Sequence, residues 1–508
     1  MQFRALLPAI LISSPLICSP ALRAATPCEN LASLTLPATT VVAAASIAAG
    51  AFPAPAGRGP GAEAVYKALP AFCRVAATLK PTSDSEIKIE VWMPASGWNG
   101  KLQAVGNGAW AGTISYPAMA TALAAGYAAA STDTGHEGNS PAFIAGHPEK
   151  LVDFAWRAVH EMTVAAKGVI AAYYDGGPKY SYWNGCSTGG RQALTEAQRF
   201  PADYDGIVAG APANYTTRLQ AIQIQIAQAT HRDEASYIPP VKYAAIHQAV
   251  LDKCDALDGV KDGVLENPTR CKFDPKVLEC KGADGPSCLT APQVELVRKV
   301  YAGLVSARTG QNIFPGIQPG SELGWQMLSG PKPMDYAVDM YRLAAFHDPA
   351  WDYLKFDADT DVARAEKQIG ALMNSIEPNI MPFLSHGKLL QYHGWSDPGI
   401  PPESSVNYYQ SVAAELGGTA KVKDSYRLFM VPGMFHCGGG DGTSTFDMVA
   451  ALDKWVTSGK PPEQIPASRV RAGKVDRTRP LCPYPQAAVY KGSGSVDEAG
   501  NFVCRAGK

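Results

Sequence analysis

Residues 185–189 read Gly-Cys-Ser-Thr-Gly and lie between a short apolar stretch, residues 180–183, and a segment of helical character, residues 191–199. A chain that passes from a strand to a helix through so short a connection must turn sharply, and glycine on both sides of the serine avoids side-chain clashes. Such a turn exposes the serine above the end of a sheet, at a helix N-terminus. The segment predicts an α/β architecture with an accessible serine, and an ordinary structural turn is the alternative.

Strand-like and helix-like patterns alternate along much of the chain. Alternating or small apolar residues predict strands over residues 86–93, 101–105, 126–131, 180–183, 206–208, 389–392 and 426–431. Apolar residues at helical spacing predict helices over residues 154–174, 191–199 and 404–416. This alternation predicts a parallel sheet with helices on both faces. The Ala-, Gly- and Pro-rich stretch 39–61 is expected to be a loosely packed lead-in.

The alternation stops after Tyr215. Residues 216–384 contain four cysteines, an Asp- and Gly-rich loop and many Gly and Pro turns, without a regular succession of strands and helices. We interpret them as a lid domain inserted into a core that residues 26–215 and 385–508 form. A chain of 508 residues is long enough for a large core and a second domain.

The N-terminus has the pattern of an export signal. Arg4 precedes an apolar stretch, residues 5–17, and small residues follow up to residue 25. Residues 1–25 are therefore predicted to be a cleaved signal peptide. The apolar stretch is short and interrupted by two prolines, so it does not suit a permanent transmembrane helix. The mature protein is expected to be secreted or periplasmic, without a membrane anchor.

The overall charge limits the classes of partner. Lys and Arg number 45 and Asp and Glu number 46, which leaves a formal net charge of -1. Nothing in this balance steers the chain toward nucleic acid or an anionic membrane. The substrate is expected to be a small molecule that is neither polyanionic nor polycationic.

A serine hydroxyl needs a neighbouring base, because it does not ionise near neutral pH. In the α/β-hydrolase fold the order along the chain is serine, then acid, then histidine. Asp397 follows the strand predicted at 389–392, and His436 follows the strand predicted at 426–431. Catalytic groups collect at such carboxyl ends of strands. The sequence thus predicts Ser187 as nucleophile, His436 as base and Asp397 as the acid that orients it.

Other residues of the same types fit this order less well. The alternative histidines precede either the acid or the serine, and they are His136, His147, His160, His386 and His393. The alternative acids follow the histidine, or begin a strand instead of ending one, and they are Asp424, Asp441 and Asp447.

Removal of the signal peptide takes away Cys18 and leaves an even number of cysteines. The ten that remain are Cys28, Cys73, Cys186, Cys254, Cys271, Cys280, Cys288, Cys437, Cys482 and Cys504. An even count in an exported chain predicts five disulfides. Counting leaves the connectivity open, and the short-range pairs Cys254–Cys271 and Cys280–Cys288 are the simplest guesses.

Two cysteines adjoin the predicted catalytic residues. Cys186 immediately precedes Ser187, and Cys437 immediately follows His436. A disulfide between them would hold the hydroxyl and the imidazole within reach and would close a loop of about 250 residues, which stabilises the fold by roughly 5 kcal/mol in the chain-entropy description. The alternative is that two unrelated cysteines happen to adjoin these residues.

The arrangement Cys186-Ser187, Asp397 and His436-Cys437 resembles the tannase and feruloyl esterase family, which includes mono(2-hydroxyethyl) terephthalate hydrolase. The resemblance extends from about residue 28 to residue 504. It implies an α/β-hydrolase core with a lid inserted between the nucleophile and acid segments. It also implies hydrolysis of small esters of aromatic acids, feruloyl esters first, with galloyl and terephthaloyl esters as alternatives. The disulfides that it implies are Cys28–Cys73, Cys186–Cys437, Cys254–Cys271, Cys280–Cys288 and Cys482–Cys504.

Residues 255–264 read Asp-Ala-Leu-Asp-Gly-Val-Lys-Asp-Gly-Val. Three carboxylates in a short loop with glycines can surround a hard cation, and ordinary Asx turns are the alternative. The family resemblance implies a Ca²⁺ ion held by the side chains of Asp255, Asp258 and Asp262 and the carbonyls of Val260 and Val264. We expect this ion to stabilise the lid without taking part in catalysis, and no organic cofactor is expected.

The remaining expectations concern the oxyanion and the substrate pocket. The backbone N–H of Thr188 is expected to face the developing oxyanion, and Gly108, after an early strand, is the candidate for the second donor. The lid aromatics available for the pocket are Trp325, Tyr336, Tyr341 and Phe346. The rival functions are a lipase or peptidase on the same core, or a calcium-stabilised binding protein without activity.

Overall fold

The structure, a computed structural model, describes residues 26–55 and 62–506, so the predicted signal peptide lies outside the described residues. In chain order the strands of this part, β1 to β15, are Thr39–Ile47, Phe72–Leu79, Ile87–Pro94, Lys101–Val105, Ala128–Thr132, Tyr180–Cys186, Gly206–Gly210, Leu304–Val305, Asn312–Phe314, Lys388–Gly394, Tyr426–Val431, Ile465–Arg471, Lys474–Leu481, Gln486–Tyr490 and Phe502–Ala506. The α-helices, α1 to α16, are Ala62–Lys67, Tyr116–Ala124, Pro148–Val152, Ala158–Tyr174, Thr188–Arg199, Thr216–His231, Tyr243–Cys254, Ala291–Ala302, Gln326–Ser329, Asp335–Asp339, Ala358–Ala365, Ala371–Met373, Met381–Leu384, Glu403–Glu415, Thr419–Val422 and Met448–Ser458.

A nine-stranded sheet organises the molecule, in the order β1-β2-β3-β5-β4-β6-β7-β10-β11. Neighbouring strands run parallel in the half of the sheet formed by β5, β4, β6, β7, β10 and β11. In the other half, β1, β2, β3 and β5 pair in antiparallel fashion. The sheet is therefore mixed, and the prediction of a parallel sheet was wrong for the N-terminal strands. The parallel strands all end at one edge, where the loops after β4, β6, β10 and β11 come together.

The prediction that residues 39–61 form a loosely packed lead-in is also wrong in part. Residues Thr39–Ile47 form the edge strand β1, and they pair with β2 over Phe72–Leu79, a strand that the sequence pattern did not predict. Most side chains of β1 are small and none is fully buried, so the stretch carries little hydrophobic pattern. Its conformation depends on pairing with a partner strand, which a local pattern does not contain. By contrast, β4 and β11 have the predicted bounds.

Helices cover both faces of the sheet, as predicted. On one face α4, α5 and α14 pack through the fully buried Met162, Leu194 and Tyr408. On the other face α2 and α16 pack through the fully buried Leu123 and Trp455. Burying an apolar side chain of this kind contributes roughly 1.5–3 kcal/mol, so the two layers hold the strands and their end loops in place.

Between β7 and β10 the chain adds no strand to the large sheet. Residues 216–384, predicted as the lid domain, contain mostly helices and the small β8–β9 pair, around a separate apolar cluster that includes Ile224, Val297 and Tyr341. Part of this segment covers the loop after β10, because an added Cβ at Gly324 would meet the ring of Pro398.

Five disulfides join the described residues, with the connectivity that the family resemblance implied. The pairs are Cys28–Cys73, Cys186–Cys437, Cys254–Cys271, Cys280–Cys288 and Cys482–Cys504. Among the helices that the structure describes, none has both the length and the apolar character needed to cross a bilayer.

Replacing Gly190 by alanine tests the close packing of α5 on β7. An added Cβ would lie against the carbonyl oxygen of Gly210 and 2.8 Å from Cα of Pro212, so backbone would have to move. We expect Gly190→Ala to lower the free energy of unfolding by about 1–3 kcal/mol, measured by thermal or urea unfolding. Gly177→Ala is the control, because the exposed Gly177 has nothing within 4 Å of an added Cβ. Equal melting of the two variants would contradict the prediction.

Candidate active site

Ser187 lies at the sharp turn between β6 and α5, with φ 65° and ψ −120°. Left-handed φ values are rare for a side-chain-bearing residue and mark strained turns such as this one. The flanking glycines are required, because an added Cβ at Gly185 would lie 2.5 Å from the carbonyl oxygen of Gly189. The Ser187 N–H donates to the carbonyl of Gly210 at 3.0 Å, which fixes the turn to β7.

The loop after β4 packs directly against this turn. The N–H of Gly189 donates to the carbonyl of Asn107 at 2.8 Å, and the Thr188 hydroxyl donates to the carbonyl of Ala109 at 3.0 Å. As the first residue of α5, Thr188 has an N–H without a partner inside the helix. An added Cβ at Gly108 would have nothing within 4 Å, so this residue faces open space. The structure thus brings both predicted oxyanion donors to the serine turn.

Asp397 and His436 are in direct contact, at the ends of β10 and β11. Nδ1 of His436 lies 2.7 Å from Oδ2 of Asp397, which is fully buried. The other oxygen, Oδ1, accepts the N–H groups of Gly399 at 2.8 Å and Ile400 at 2.9 Å. The carboxylate is therefore held in one orientation, with its free edge toward the imidazole.

A second histidine holds the same carboxylate. Nε2 of the fully buried His393 lies 3.1 Å from Oδ2 of Asp397, and its Nδ1 lies 2.7 Å from the hydroxyl of Ser405. A neutral His393 that donates from Nε2 would accept from Ser405 at Nδ1. Chain order excludes His393 as the base but does not indicate this role. The one signal for it is that His393 and Asp397 flank a tight turn at the end of one strand.

The electrostatics of the pair favour an ionised acid and a basic imidazole. Burial opposes ionisation of Asp397, but the charge of His436 and the N–H of His393 hold its pKa well below the usual range. Burial also disfavours a charged His436, yet the Asp397 carboxylate outweighs it and raises the pKa of His436 above 6.5. A serine base must be neutral to accept a proton, so this imidazole loses its basic form at a higher pH than an isolated histidine does.

The Cys186–Cys437 disulfide connects the serine turn to the histidine loop. The two Cα atoms lie 6.0 Å apart, although the residues are 251 positions apart in sequence. Because Ser187 and His436 are their chain neighbours, the bond draws the two predicted groups to one place. Among the residues that the structure describes, no hydrogen bond joins the Ser187 hydroxyl to His436. Such contacts are often long until substrate binds.

The alternative bases and acids have other partners. His136 directs its Nε2 at a backbone carbonyl 2.6 Å away, and His147 and His160 each contact a different aspartate. Asp441 pairs with an arginine of β12, and Asp447 caps the N-terminus of α16. None of these contacts involves the serine turn.

The lid lies over the acid loop. An added Cβ at Gly399 would lie 2.8 Å from the sulfur of Met327, so this partly exposed methionine covers the residues next to Asp397. Of the predicted pocket aromatics, Tyr336 reaches the oxyanion loop, since its ring centroid lies 5.1 Å from that of Trp110. The other three, Trp325, Tyr341 and Phe346, are buried in the apolar cluster of the lid.

The predicted calcium loop begins directly after α7 and folds back on itself. Both carboxylate oxygens of Asp255 accept backbone N–H groups, from Asp262 at 3.2 Å and from Gly263 at 2.9 Å. Oδ1 of Asp258 accepts the N–H of Val260 at 2.8 Å. Burial raises the pKa of Asp258 to about 6, and the charges of Asp262 and Asp255 add to this shift. The loop therefore concentrates negative charge that a cation would relieve.

A small cavity adjoins this loop. Asp258, Asp262 and Val264 line it together with Glu266, the loop after β11 and two arginines of β13. Its volume of about 20 Å³ is room for one particle of the size of water. Asp262 also accepts a hydrogen bond from Arg479 at 2.6 Å, and Asp255 and Val260 do not line the cavity. The cavity therefore offers a hard cation the carboxylates of Asp258, Asp262 and Glu266, beside the positive charge of two arginines.

Comparison with known proteins identifies the family. A family model described as tannase and feruloyl esterase matches residues 73–505. This chain belongs to the tannase and feruloyl esterase family. An uncharacterized esterase of Xanthomonas campestris pv. campestris is 38% identical over 94% of this chain and 91% of its own length. A relative named "Probable feruloyl esterase B-2", from Aspergillus terreus, is 35% identical over 85% of this chain and 86% of its own length.

Solved structures agree with this assignment. The crystal structure of feruloyl esterase B from Aspergillus oryzae has a TM-score of 0.87 at 31% identity, covering 94% of this chain and 99% of that one. The tannin acyl hydrolase from Aspergillus niger, at 22% identity and a TM-score of 0.73, covers 92% of this chain and 90% of its own. The latter shows the shared fold alone. The predicted α/β-hydrolase fold is confirmed, and the chain is a carboxylic ester hydrolase of the feruloyl esterase and tannase type.

Changing His393 tests whether it positions Asp397. A hydrogen bond to a charged group contributes about 1.5–3 kcal/mol, so we expect His393→Leu to lower kcat for ester hydrolysis at least about tenfold. Loss of this N–H leaves the Asp397 charge less stabilised and strengthens its hold on a protonated His436. The fall of kcat/KM at low pH should therefore move to higher pH than in the unmodified enzyme, where Asp397 already raises the pKa of His436.

His393→Gln is the matched variant, because its amide nitrogen can take the place of Nε2. It should recover much of kcat and return the pH profile toward that of the unmodified enzyme. A pH profile that is the same in all three proteins would show that His393 only fills space.

Proposed function

We propose that this chain is an exported serine esterase that hydrolyses esters of phenolic aromatic acids, feruloyl esters first, through an acyl-enzyme on Ser187. One observation carries the proposal most directly. The hydrogen-bonded pair of Asp397 and His436 is tied through the Cys186–Cys437 disulfide to the turn that exposes the serine. Nucleophile, base and orienting acid thus stand together at the carboxyl edge of the sheet, in the chain order of α/β-hydrolases.

In the first step the Ser187 oxygen attacks the ester carbonyl carbon while Nε2 of His436 takes the hydroxyl proton. The carbonyl oxygen becomes an oxyanion, which the N–H groups of Thr188 and Gly108 stabilise. As the tetrahedral intermediate collapses, the bond to the alcohol breaks and His436 returns the proton to the leaving oxygen. Asp397 keeps the imidazole in the required tautomer and stabilises its charged form.

In the second step a water molecule attacks the acyl group on Ser187. His436 takes a proton from this water, and the collapse of the second intermediate releases the carboxylic acid and returns the proton to the serine oxygen. The two steps consume one ester and one water and give one acid and one alcohol. No oxidant or organic cofactor is needed.

Two observations support feruloyl as the acyl group: the names of the relatives and the side chains that lie next to the site. Relatives from several Aspergillus species carry names containing feruloyl esterase B. In this chain the partly buried Tyr336 packs on the buried Trp110 and places an aromatic ring beside the oxyanion loop, and Met327 places a thioether over the acid loop. Aromatic rings and sulfur pack favourably on a planar phenolic group. The terephthaloyl monoester is the alternative acyl group.

Export is part of the proposal. The five disulfides of the described residues suit an oxidising compartment. The N-terminal pattern of a charged residue, an apolar stretch and small residues supports a cleaved signal peptide.

We also propose that the loop of Asp255, Asp258, Val260, Asp262 and Val264 binds Ca²⁺, which prefers oxygen ligands. Bound there, the ion would supply positive charge and structural support, not chemistry on the ester. The position of the loop widens this role beyond the predicted lid stability. The added Cβ of a residue at Gly433 would lie 3.0 Å from the side chain of Val264, so the loop supports the segment that leads to His436.

Ser187→Ala tests the nucleophile. We expect hydrolysis of methyl ferulate to fall on the order of 10⁴-fold or more, and labelling by a fluorophosphonate probe to disappear, with an unchanged melting temperature. Ser33→Ala, at an exposed serine before β1 whose hydroxyl donates to the carbonyl of Asn30, is the control and should behave as the unmodified enzyme does. Turnover retained in Ser187→Ala would remove Ser187 from the mechanism.

A panel of substrates, assayed on the unmodified enzyme, separates the acyl groups. It consists of methyl ferulate, methyl gallate, mono(2-hydroxyethyl) terephthalate, a long-chain triglyceride and a peptide. The highest kcat/KM is expected for methyl ferulate. A preference for the triglyceride or the peptide would overturn the substrate assignment and leave the serine mechanism standing.

Removal of calcium should destabilise the enzyme. We expect EGTA to lower the melting temperature and Ca²⁺, not Mg²⁺, to restore it, because binding to the folded state alone stabilises that state. Asp258→Asn should melt early and no longer respond to EGTA. The control Asp175→Asn changes an exposed aspartate at the end of α4 and should keep the full response. An unaltered melting curve with no metal in the purified protein would overturn the calcium site.

A further inference from the structure

Glu196, on α5, is a buried carboxylate without a hydrogen-bond donor. The residue is 1% exposed, and in the described part of the chain no N–H or O–H group donates to either carboxylate oxygen, while the carboxyl group of Asp203 lies close to it. A carboxylate in such surroundings needs either a proton or a compensating cation. The esterase mechanism does not use this residue, because it lies nine positions after Ser187 on the same helix, or about 13 Å along the axis.

Two further ligand-type side chains face the same point. His160 is on α4, and Asp203 is in the turn between α5 and β7. Nδ1 of His160 lies 2.7 Å from Oδ2 of Asp203. One ligand atom from each of the three residues lies within 4.8 Å of the other two. The side chains of His160 and Asp203 are 27% and 13% exposed, so an ion could enter from solvent and keep a water ligand.

The nearby groups do not supply the missing positive charge to Glu196 by contact. The Lys167 ammonium donates to the main-chain carbonyl of Asp203 and, in the described part of the chain, makes no hydrogen bond to Glu196. The His160 ring is already oriented, since it stacks on Phe200 with centroids 3.8 Å apart. A preformed ring orientation lowers the entropy lost when the imidazole binds a metal.

The donor set selects the class of cation. One imidazole nitrogen and two carboxylate oxygens suit borderline divalent ions such as Zn²⁺, whereas Ca²⁺ takes six to eight oxygen ligands. Ligands of tetrahedral Zn²⁺ bind at about 2.0–2.2 Å and stand roughly 3.5 Å apart. Atoms already within 4.8 Å of one another reach this geometry through shifts of about 1 Å.

We propose that His160, Glu196 and Asp203 form a binding site for a borderline divalent transition-metal ion of the Zn²⁺ class. The ion joins α4, α5 and the turn before β7, with solvent in the fourth position. It acts as a structural clamp on the helix that begins at the nucleophile, and it is separate from the calcium loop and from the ester site.

The test is Zn²⁺ binding to the full mature enzyme in the presence of excess Ca²⁺, which keeps the calcium loop saturated. Bound zinc is measured by equilibrium dialysis with elemental analysis, and affinity by competition with a zinc indicator. We expect one zinc per chain in the unmodified enzyme, and binding weaker by roughly tenfold or more in Glu196→Gln and in His160→Gln. His147→Gln is the control, because His147 contacts the Asp84 carboxylate on the surface and should leave binding unchanged.

Replacement of zinc by Co²⁺ gives a readout that folding alone would not change. The visible d–d absorption of a four-coordinate Co²⁺ site should appear in the unmodified enzyme and in His147→Gln, and it should be lost in His160→Gln. The proposal is overturned if no zinc binds, or if binding is the same in all variants. If no zinc binds and Glu196→Gln melts like the unmodified enzyme, then Glu196 is a carboxylic acid that shares a proton with Asp203. Because the readout is metal content, failure here leaves the esterase proposal untouched.

Discussion

The serine turn exists because several backbone segments approach one another with no side chain between them. An added Cβ at Gly106 would lie 2.6 Å from Cα of Gly189, and one at Gly185 would lie 2.5 Å from the carbonyl oxygen of the same residue. This close approach fixes the loop after β4, the end of β6 and the start of α5 as one unit. The left-handed conformation of Ser187 is stable only inside such a unit, since a strained residue persists only where its surroundings determine it fully.

A disulfide and an ion pair beside the serine turn align the C-terminal part of the core, which contains β10 and β11, with the N-terminal part. The Cys186–Cys437 disulfide places the loop after β11 beside the serine turn, while Asp397 at the end of β10 orients the imidazole of His436. Because the two cysteines are 251 positions apart in sequence, the whole lid must be accommodated between them. The lid in turn lies over the acid loop through Met327, so access of an ester to the site depends on how the inserted segment packs.

Sequence patterns predicted the features that local chemistry determines. The glycines around Ser187 and the bounds of β4 and β11 follow from nearby residues, whereas the order of serine, acid and histidine was taken from the rule for the fold. The edge strand β1 was missed because its small, half-exposed side chains gain their conformation from pairing with β2. The contact of His393 with Asp397 and the contact of the loop 255–264 with β13 were missed for a related reason. Each joins groups that become neighbours only in the folded chain.

Asp397 and Glu196 differ in how the cost of burying a carboxylate is compensated. Both carboxylates are buried, and burial alone makes an ionised carboxylate unfavourable. Asp397 accepts two backbone N–H groups and faces two imidazoles, so its charge is stable and can serve a mechanism. Glu196 has no such donors and faces a second carboxylate and an imidazole instead. The two carboxylates differ in the hydrogen-bond donors that surround them. Asp397 is stabilised by its donors, whereas Glu196 needs a proton or a metal ion.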